Sequence, residues 1–368
     1  MSYKIPLIKP YITDQLKQRV IDVLDSGYLT EGPVTREFEN QIASFCSAKH
    51  CLAVTSCTTG LELALRALGI GPGDEVIVPG YTYPATAQVV NIVGATAVIV
   101  DINPQNMLID YDTLETAITP KTKAIIPVSL FGNPLNWDRL NKIKSKHSLY
   151  IIEDAACALG SSYKNKKTGT LADITVFSHH PRKFITTGEG GTIVTDNSKW
   201  ADWMASYKHF GIASKTNRLD TQFEHIGTNY KLSNILAAVG LEQLRHINEL
   251  LAERRRLAER YQALLADTPD ISLTQTTYNG THSWQTFCVF VNNRDKVMSD
   301  MRQVGIEAQI GTYALHTHPA FAHNPLVRIH GKMTGCQYAF DHTLALPLFQ
   351  GMTENEQYNV VNALKRMT

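Results

Sequence analysis

The chain has no apolar run long enough to cross a bilayer. Its longest candidate, Val89 to Val100, is broken by Asn91 and Gly94. It has no excess of either charge: 35 Lys and Arg stand against 34 Asp and Glu, a formal +1. That removes the electrostatic case for nucleic acid or an anionic membrane as a partner. The six cysteines, at 46, 51, 57, 157, 288 and 336, form no Cys-x-x-Cys and stand at no Cys/His zinc spacing. They read as scattered reduced thiols. No Gly-x-Gly-x-x-Gly follows the first predicted strand, which argues against a dinucleotide fold. There is no internal repeat and no low-complexity stretch. Met1-Ser2-Tyr3-Lys4-Ile5-Pro6 lacks the apolar core of a signal peptide, so a soluble, cytoplasmic protein is expected.

What is present is ordinary globular material, 368 residues with 43% hydrophobic and 19% charged. That length favours two domains, or one large α/β domain with a lobe. Residues 12–25 and 34–44 read as helices around a glycine-punctuated loop at 26–33. A βαβ rhythm follows. Strands are expected at 51–55, 75–79, 97–101, 124–128, 150–153, 174–178 and 191–195. Helices are expected at 60–68, 85–93, 135–147 and 200–207. Short apolar strands alternating with helices predict an α/β domain with a mostly parallel, covered sheet. The stretch 211–228 is polar and reads as a long loop, and 232–265 reads as long helical material. A smaller α+β part then follows, with strands at 286–291 and 307–310 and helices at 296–304 and 353–367. The expected division is a large domain with an N-terminal arm, 1–245, and a small C-terminal domain, 246–368.

The chemistry concentrates in two places. Glu153-Asp154-Ala155-Ala156 ends an apolar strand, and ligands of open α/β sheets sit at the carboxyl ends of strands. Asp154 is equally suited to cap a helix starting at Ala155. Lys183 follows 29 residues later in Ser178-His179-His180-Pro181-Arg182-Lys183-Phe184-Ile185-Thr186-Thr187-Gly188-Glu189-Gly190-Gly191. It lies between two predicted strands, with apolar Phe184 and Ile185 after it, and burial is expected to lower its pKa. An aspartate on a strand end and such a lysine suit pyridoxal phosphate (PLP). The carboxylate would keep the pyridinium nitrogen protonated, and the amine would form the Schiff base. Ser56-Cys57-Thr58-Thr59-Gly60 offers hydroxyls at a helix start, where a phosphate can bind, although such a start is also ordinary capping. Ser178 adds a hydroxyl. Tyr83, or Tyr81, stands at the next strand end, placed to stack on a ring or to pack in the core. His179 and His180 are adjacent on a strand and point to opposite faces, so no metal site is expected. His316-x-His318 is better suited to a substrate loop.

These residues together resemble the DegT/DnrJ/EryC1/StrS family of PLP-dependent sugar aminotransferases, of fold type I. The resemblance runs from about Ile5 to the C-terminus. Its markers are Ser26-Gly27-Tyr28-Leu29-Thr30-x-Gly32-Pro33, Gly71-Pro72-Gly73-Asp74-Glu75-Val76-Ile77-Val78-Pro79, Glu153-Asp154-Ala155-Ala156, the Lys183 segment, and Gly227-Thr228-Asn229-Tyr230-Lys231-Leu232-Ser233. It implies a seven-stranded-type sheet sandwiched by helices. In it Lys183 is the Schiff-base lysine and proton shuttle, and Asp154 pairs with the ring nitrogen. Tyr83 stacks on the ring, while the Cys57 amide, Thr58 and Ser178 hold the phosphate. Asn229 would reach the phosphate of a neighbouring subunit's cofactor, which implies a homodimer. Glu189 shapes the substrate side, with Tyr28, Thr30, Tyr313, His316 and His318 as further contacts to a nucleotide-linked sugar.

The implied reaction passes the amino group of L-glutamate to a keto group of a nucleotide-linked 6-deoxy hexose, with a 4-keto sugar as the default, for polysaccharide, O-antigen or related glycan synthesis. Two alternatives stand beside it. One is a PLP-dependent sugar dehydratase of the same family, although those carry histidine at the lysine position. The other is a non-catalytic binding or regulatory protein on the same scaffold. Three positions depart from the family pattern: Cys57 where glycine is frequent, Cys157 where glutamine or histidine often stands, and His179 where phenylalanine is usual.

Overall fold

The computed structural model describes residues 3–213 and 219–368. Eight apolar segments assemble one sheet, in the order His50–Val54, Gly191–Thr195, Ile174–Ser178, Tyr150–Asp154, Thr122–Ile125, Glu75–Pro79, Thr96–Val100 and Val327–His330. Gly191–Thr195 runs antiparallel to both of its neighbours, and the other pairs are parallel. The central strands are buried along most of their length, as expected of a sheet covered on both faces. The first seven strands in that order match the expected sheet. The eighth was not anticipated, because Val-Arg-Ile-His is only four residues long and lies outside the βαβ rhythm of the N-terminal part. Arg328 fastens it, donating to Glu75 Oε2 at 2.9 Å and to the Ala117 carbonyl at 2.9 Å. Thus the strand order crosses the division expected at 245/246.

The helices follow their caps. Cys57–Ala67 starts three residues before the expected Gly60, because Ser56 and Thr59 form a reciprocal capping box ahead of the apolar face. The helical stretch expected over 232–265 is two helices, Asn234–Leu244 and Ile247–Leu265. They part at Arg245-His246 with no glycine or proline to signal the break. Tyr111–Ala117, capped by Asp110, is a further short helix. Of the polar stretch 211–228, residues 214–218 lie outside the described residues. No helix of the described residues is long and apolar enough to cross a membrane.

Beyond Leu265 a four-stranded antiparallel sheet, Ile271–Leu273, Phe287–Val291, Thr343–Leu346 and Gln309–Ile310, packs on Arg294–Gln303 and Glu354–Met367. Its core joins Leu257, Tyr261 and Leu265 of the long helix to Phe287, Val289 and Leu364. The N-terminal segment belongs to this lobe by its bonds. Ile5 exchanges backbone hydrogen bonds with Gly305 and Glu307, and the Leu348 amide donates to the Leu7 carbonyl.

Side chains alternate across each strand, so Glu153 and Asp154 face opposite sides of the sheet. Glu153 is fully buried and accepts from the Ser129 hydroxyl at 2.5 Å and the Thr175 hydroxyl at 3.3 Å. Burial raises its pKa from an ordinary 4.5 to about 7. A carboxyl raised on folding binds its proton more tightly in the native state. Its stabilisation is therefore full below the unfolded value and lost as pH rises through about 7. Glu153→Gln should leave the melting temperature near wild type at pH 5 and raise it at pH 8. Melting curves at the two pH values check this, and an equal shift at both would remove Glu153 as the titrating group.

Candidate active site

The strand ends at one edge of the large sheet and the facing surface of the C-terminal lobe enclose a cavity of about 690 Å³. Of the residues singled out in the sequence, Cys57, Thr58, Tyr83, Asp154, Ser178, Lys183, Glu189 and Tyr313 line it. They come from five separate segments, and the sheet is what brings them together.

Asp154 is 5% exposed at the end of Tyr150–Asp154. Its Oδ2 accepts from the Thr86 hydroxyl at 2.8 Å and its Oδ1 from the Ala156 amide at 3.1 Å. No helix begins at Ala155, so the capping alternative falls away. Burial pushes the Asp154 carboxyl up, while the Thr86 hydroxyl, the Ala156 amide and the Lys183 charge pull it down without overcoming burial. A cation placed against it would remove that penalty. Thr86 escaped the sequence reading. The only available signal was Thr82-x-x-x-Thr86, whose hydroxyls meet at 3.0 Å.

Lys183 is half-buried on the loop between Ile174–Ser178 and Gly191–Thr195, and its Nζ donates to Cys157 Sγ at 3.1 Å. The expected fall in its pKa does not occur. Burial does pull the ammonium down, but the Cys157 contact, with the Asp154 charge, outweighs it, and the net direction is up. Cys157 was visible in the sequence only as a departure from the family pattern. Here it is the immediate neighbour of the amine.

The helix Cys57–Ala67 opens into the cavity with its first turn. Ser56 and Thr59 are spent on each other in the capping box, which leaves the Thr58 hydroxyl and the amides of Cys57 and Thr58. Two glycines allow this close approach. A Cβ on Gly60 would lie 2.6 Å from Val176 Cγ1, and one on Gly191 would lie 2.6 Å from the Cys57 nitrogen. Burial and the Asp154 charge push the Cys57 thiol well up, so it stays protonated. Tyr83 is 65% exposed and meets Tyr313 at 6.2 Å between ring centroids.

Other candidates lie elsewhere in this chain. Asn229 is exposed, off the cavity, in a segment laid along the edge strand His50–Val54, where the Thr55 amide donates to the Tyr230 carbonyl. Tyr28 and Thr30 are exposed on a loop whose carbonyls are held by Asn234. His316 and His318 stand behind Tyr313, whose ring meets His318 edge-on at 5.8 Å. His179 is fully buried between Thr192 and the Ile185 carbonyl, and burial pulls it down to about 4. It therefore packs the loop from behind, and His180 is the histidine on the cavity. No cluster of three or more metal-ligating side chains occurs among the described residues.

The donor set fits pyridoxal phosphate. Helix-start amides and a hydroxyl match the phosphate, a buried acceptor matches a protonated ring nitrogen, and a primary amine matches the aldehyde. The chain matches the model of the DegT/DnrJ/EryC1/StrS aminotransferase family over residues 10–365. GDP-perosamine synthase of Caulobacter vibrioides is 36% identical over 376 aligned positions, covering 99% of this chain and 98% of that protein. Among solved structures, Spr1654 from Streptococcus pneumoniae superposes with a TM-score of 0.93 at 31% identity, over 99% of this chain and 98% of that one. It has also been solved in PLP and PMP forms. The E coli GDP-4-keto-6-deoxy-D-mannose-3-dehydratase with bound hydrated PLP superposes with a TM-score of 0.93 at 25% identity, over 99% and 100%. The chain therefore belongs to the DegT/DnrJ/EryC1/StrS aminotransferase family and is a pyridoxal phosphate-dependent aminotransferase.

Proposed function

We propose that this enzyme transfers the amino group of L-glutamate to a keto group of a nucleotide-linked hexose, with a 4-keto-6-deoxy sugar as the acceptor. The observation that carries the reading is the meeting of Lys183, Asp154 and the Cys57–Thr58 helix start around one cavity. Bound pyridoxal phosphate supplies a carbonyl for the migrating amine and an electron sink for the deprotonated carbon. Asp154 keeps the proton on the ring nitrogen. The Cys57 and Thr58 amides, the Thr58 hydroxyl and Ser178 hold the phosphate, and Tyr83 covers the ring. Lys183 carries the proton between the substrate carbon and the cofactor side. Glu189 and Tyr313 line the substrate side, with His316 and His318 behind them. The similarity to a GDP-perosamine synthase favours a GDP-linked acceptor and a role in polysaccharide or O-antigen synthesis.

A homodimer in the cytoplasm is part of the same proposal. Asn229, Tyr28 and Thr30 are exposed and off this chain's cavity, as residues serving a partner subunit's site would be. The similarity to a dehydratase supports a second reading. Lys183 disfavours it, because an amine at this position can recapture the cofactor after each turnover, whereas the dehydratases of the family carry histidine there.

The test is the absorbance spectrum of the PLP-loaded protein before and after L-glutamate. An aminotransferase should convert the cofactor stoichiometrically to the amine form and regenerate it on addition of a GDP-linked 4-keto-6-deoxy sugar. A spectrum indifferent to glutamate would overturn the reading. Lys183→Ala should lose about 10²–10⁴-fold in turnover, the range supplied by a positioned proton carrier, and wild-type turnover would remove Lys183 from the chemistry.

Cofactor capture should respond to Cys157. Capture needs the uncharged amine, and the Cys157 contact holds Lys183 charged. Cys157→Ala leaves burial to act with less opposition, so the amine deprotonates at lower pH. The rate of PLP uptake by cofactor-free Cys157→Ala, followed against pH by stopped-flow absorbance, should rise at lower pH than in wild type. An unchanged profile would show that the sulfur does not hold the proton.

A further inference from the structure

The loop carrying Lys183 leaves the sheet at Ser178 and rejoins it at Gly191. Between Arg182 and Thr186 its backbone has no strand beside it, yet Phe184, Ile185 and Thr186 are buried. Buried amides and carbonyls need partners, and here two glutamine side chains supply them. Gln243, on Asn234–Leu244, accepts from the Thr186 amide at 3.2 Å and donates to the Thr186 carbonyl at 2.7 Å. Gln285, from the C-terminal lobe, accepts from the Phe184 amide at 3.2 Å and donates to the Arg182 carbonyl at 2.8 Å. Its one amide group thus grips the chain on both sides of Lys183, and it also lines the cavity.

Gln285 is itself held with unusual firmness. Arg254, 2% exposed on the long helix, donates to the carbonyls of Trp284 at 2.8 Å and Gln285 at 2.7 Å. Its guanidinium also lies 5.4 Å from the centre of the Phe184 ring. The Ser283 amide donates to the Gly132 carbonyl, and the Ser283 hydroxyl donates to the Cys157 carbonyl at 3.2 Å. A Cβ on Gly132 would lie 2.4 Å from Ser283 Oγ, so the glycine is what admits this contact. Between them, Trp284 has a φ of 54°, a left-handed conformation that is strained for a bulky side chain. Such strain persists only where the surroundings over-determine it. Here it allows the segment to meet Cys157 through Ser283 and the Lys183 loop through Gln285.

We propose that Gln285 is a positioning residue for Lys183. Its amide fixes the peptide groups flanking the lysine, so the seating of the C-terminal lobe sets where the amine points. Gln285 touches no reacting atom and acts through the backbone of residues 182 and 184. The inference rests on Lys183 being the reactive amine.

The test uses Gln285→Met, which keeps the length of the side chain and removes both bonds, and Gln285→Glu, which keeps the acceptor for Phe184. The first readout is hydrogen exchange at the Phe184 amide in the cofactor-free protein. It should accelerate in Gln285→Met and stay protected in Gln285→Glu, because exchange follows local opening. The second is steady-state kinetics of the loaded dimer. In Gln285→Met, kcat should fall about 10–100-fold, as expected for a displaced catalytic group, with the KM for glutamate unchanged. A purely structural role would lower the melting temperature without that split. Unchanged Phe184 exchange, or an unchanged kcat in folded Gln285→Met, overturns the proposal. Borohydride reduction of loaded wild type followed by peptide mass spectrometry separates the two ways to fail. Label on Lys183 with an indifferent Gln285→Met sinks the clamp alone, whereas label elsewhere sinks the assignment of Lys183 and the clamp with it.

Discussion

A carboxylate is carried into the interior at the end of the strand Tyr150–Asp154, where its hydrogen-bond donors are one hydroxyl, one backbone amide and, at 4.0 Å, the Cys57 thiol. Burying a carboxylate without a cation against it is costly, and that cost appears as the upward pressure on the Asp154 proton. The remainder of the site follows from this placement. Asp154 must lie beside a space that can admit a positive group, which requires a gap at the strand ends. The cavity is that gap, and Lys183, the helix Cys57–Ala67 and the C-terminal lobe are arranged around it. A sheet with Asn in this place would bury more comfortably and would lose the negative charge that the proposed function assigns to a protonated ring nitrogen.

Close approach is the second requirement. Amides at a helix start bind a phosphate only if the helix enters the site end-on, and the backbone of Ser56–Cys57 does so against Gly191 with no space for a side chain. Gly60 does the same one turn on, against Val176. Gly191 of the Gly-Glu-Gly-Gly turn is thus what admits the helix start end-on. Cys57, which replaces a frequent glycine of the family, costs little here. Its side chain turns toward Asp154 and the Val176 carbonyl, at 4.0 and 3.9 Å.

The strands were legible because runs such as Glu75–Pro79 and Ile174–Ser178 are mostly apolar and β-branched, and bounded by glycine or polar residues. Asp154 and Lys183 were legible because each is a charged group beside such a run. What stayed hidden depends on contacts between distant segments. The strand Val327–His330 exists because Thr96–Val100 offers an open edge and Glu75 a partner for Arg328. The helix break at Arg245-His246 is set by the turn between two packed helices and carries no local breaker. The Lys183 proton was read with the wrong sign because Cys157 lies 26 positions away in sequence and 3.1 Å away in space. Thr86, Gln243 and Gln285 are polar residues of common type, and nothing local marks them as partners of the site.

That distribution of legible and hidden residues has a physical basis. Groups that meet the cofactor must carry charge or reactivity, so their side-chain types stand out against apolar strands. Groups that hold those side chains in place need only a donor and an acceptor at the right separation, and an amide serves as well as any. Gln243 comes from the helix packed on the large sheet and Gln285 from the C-terminal lobe, yet both end on the five residues from Arg182 to Thr186. The lysine is therefore anchored from two bodies of the fold at once. A shift of either body relative to the sheet moves the amine against Asp154, and the Arg254 contacts to Trp284 and Gln285 tie that shift to the long helix. The C-terminal lobe thus forms one wall of the cavity and also holds the backbone on both sides of Lys183.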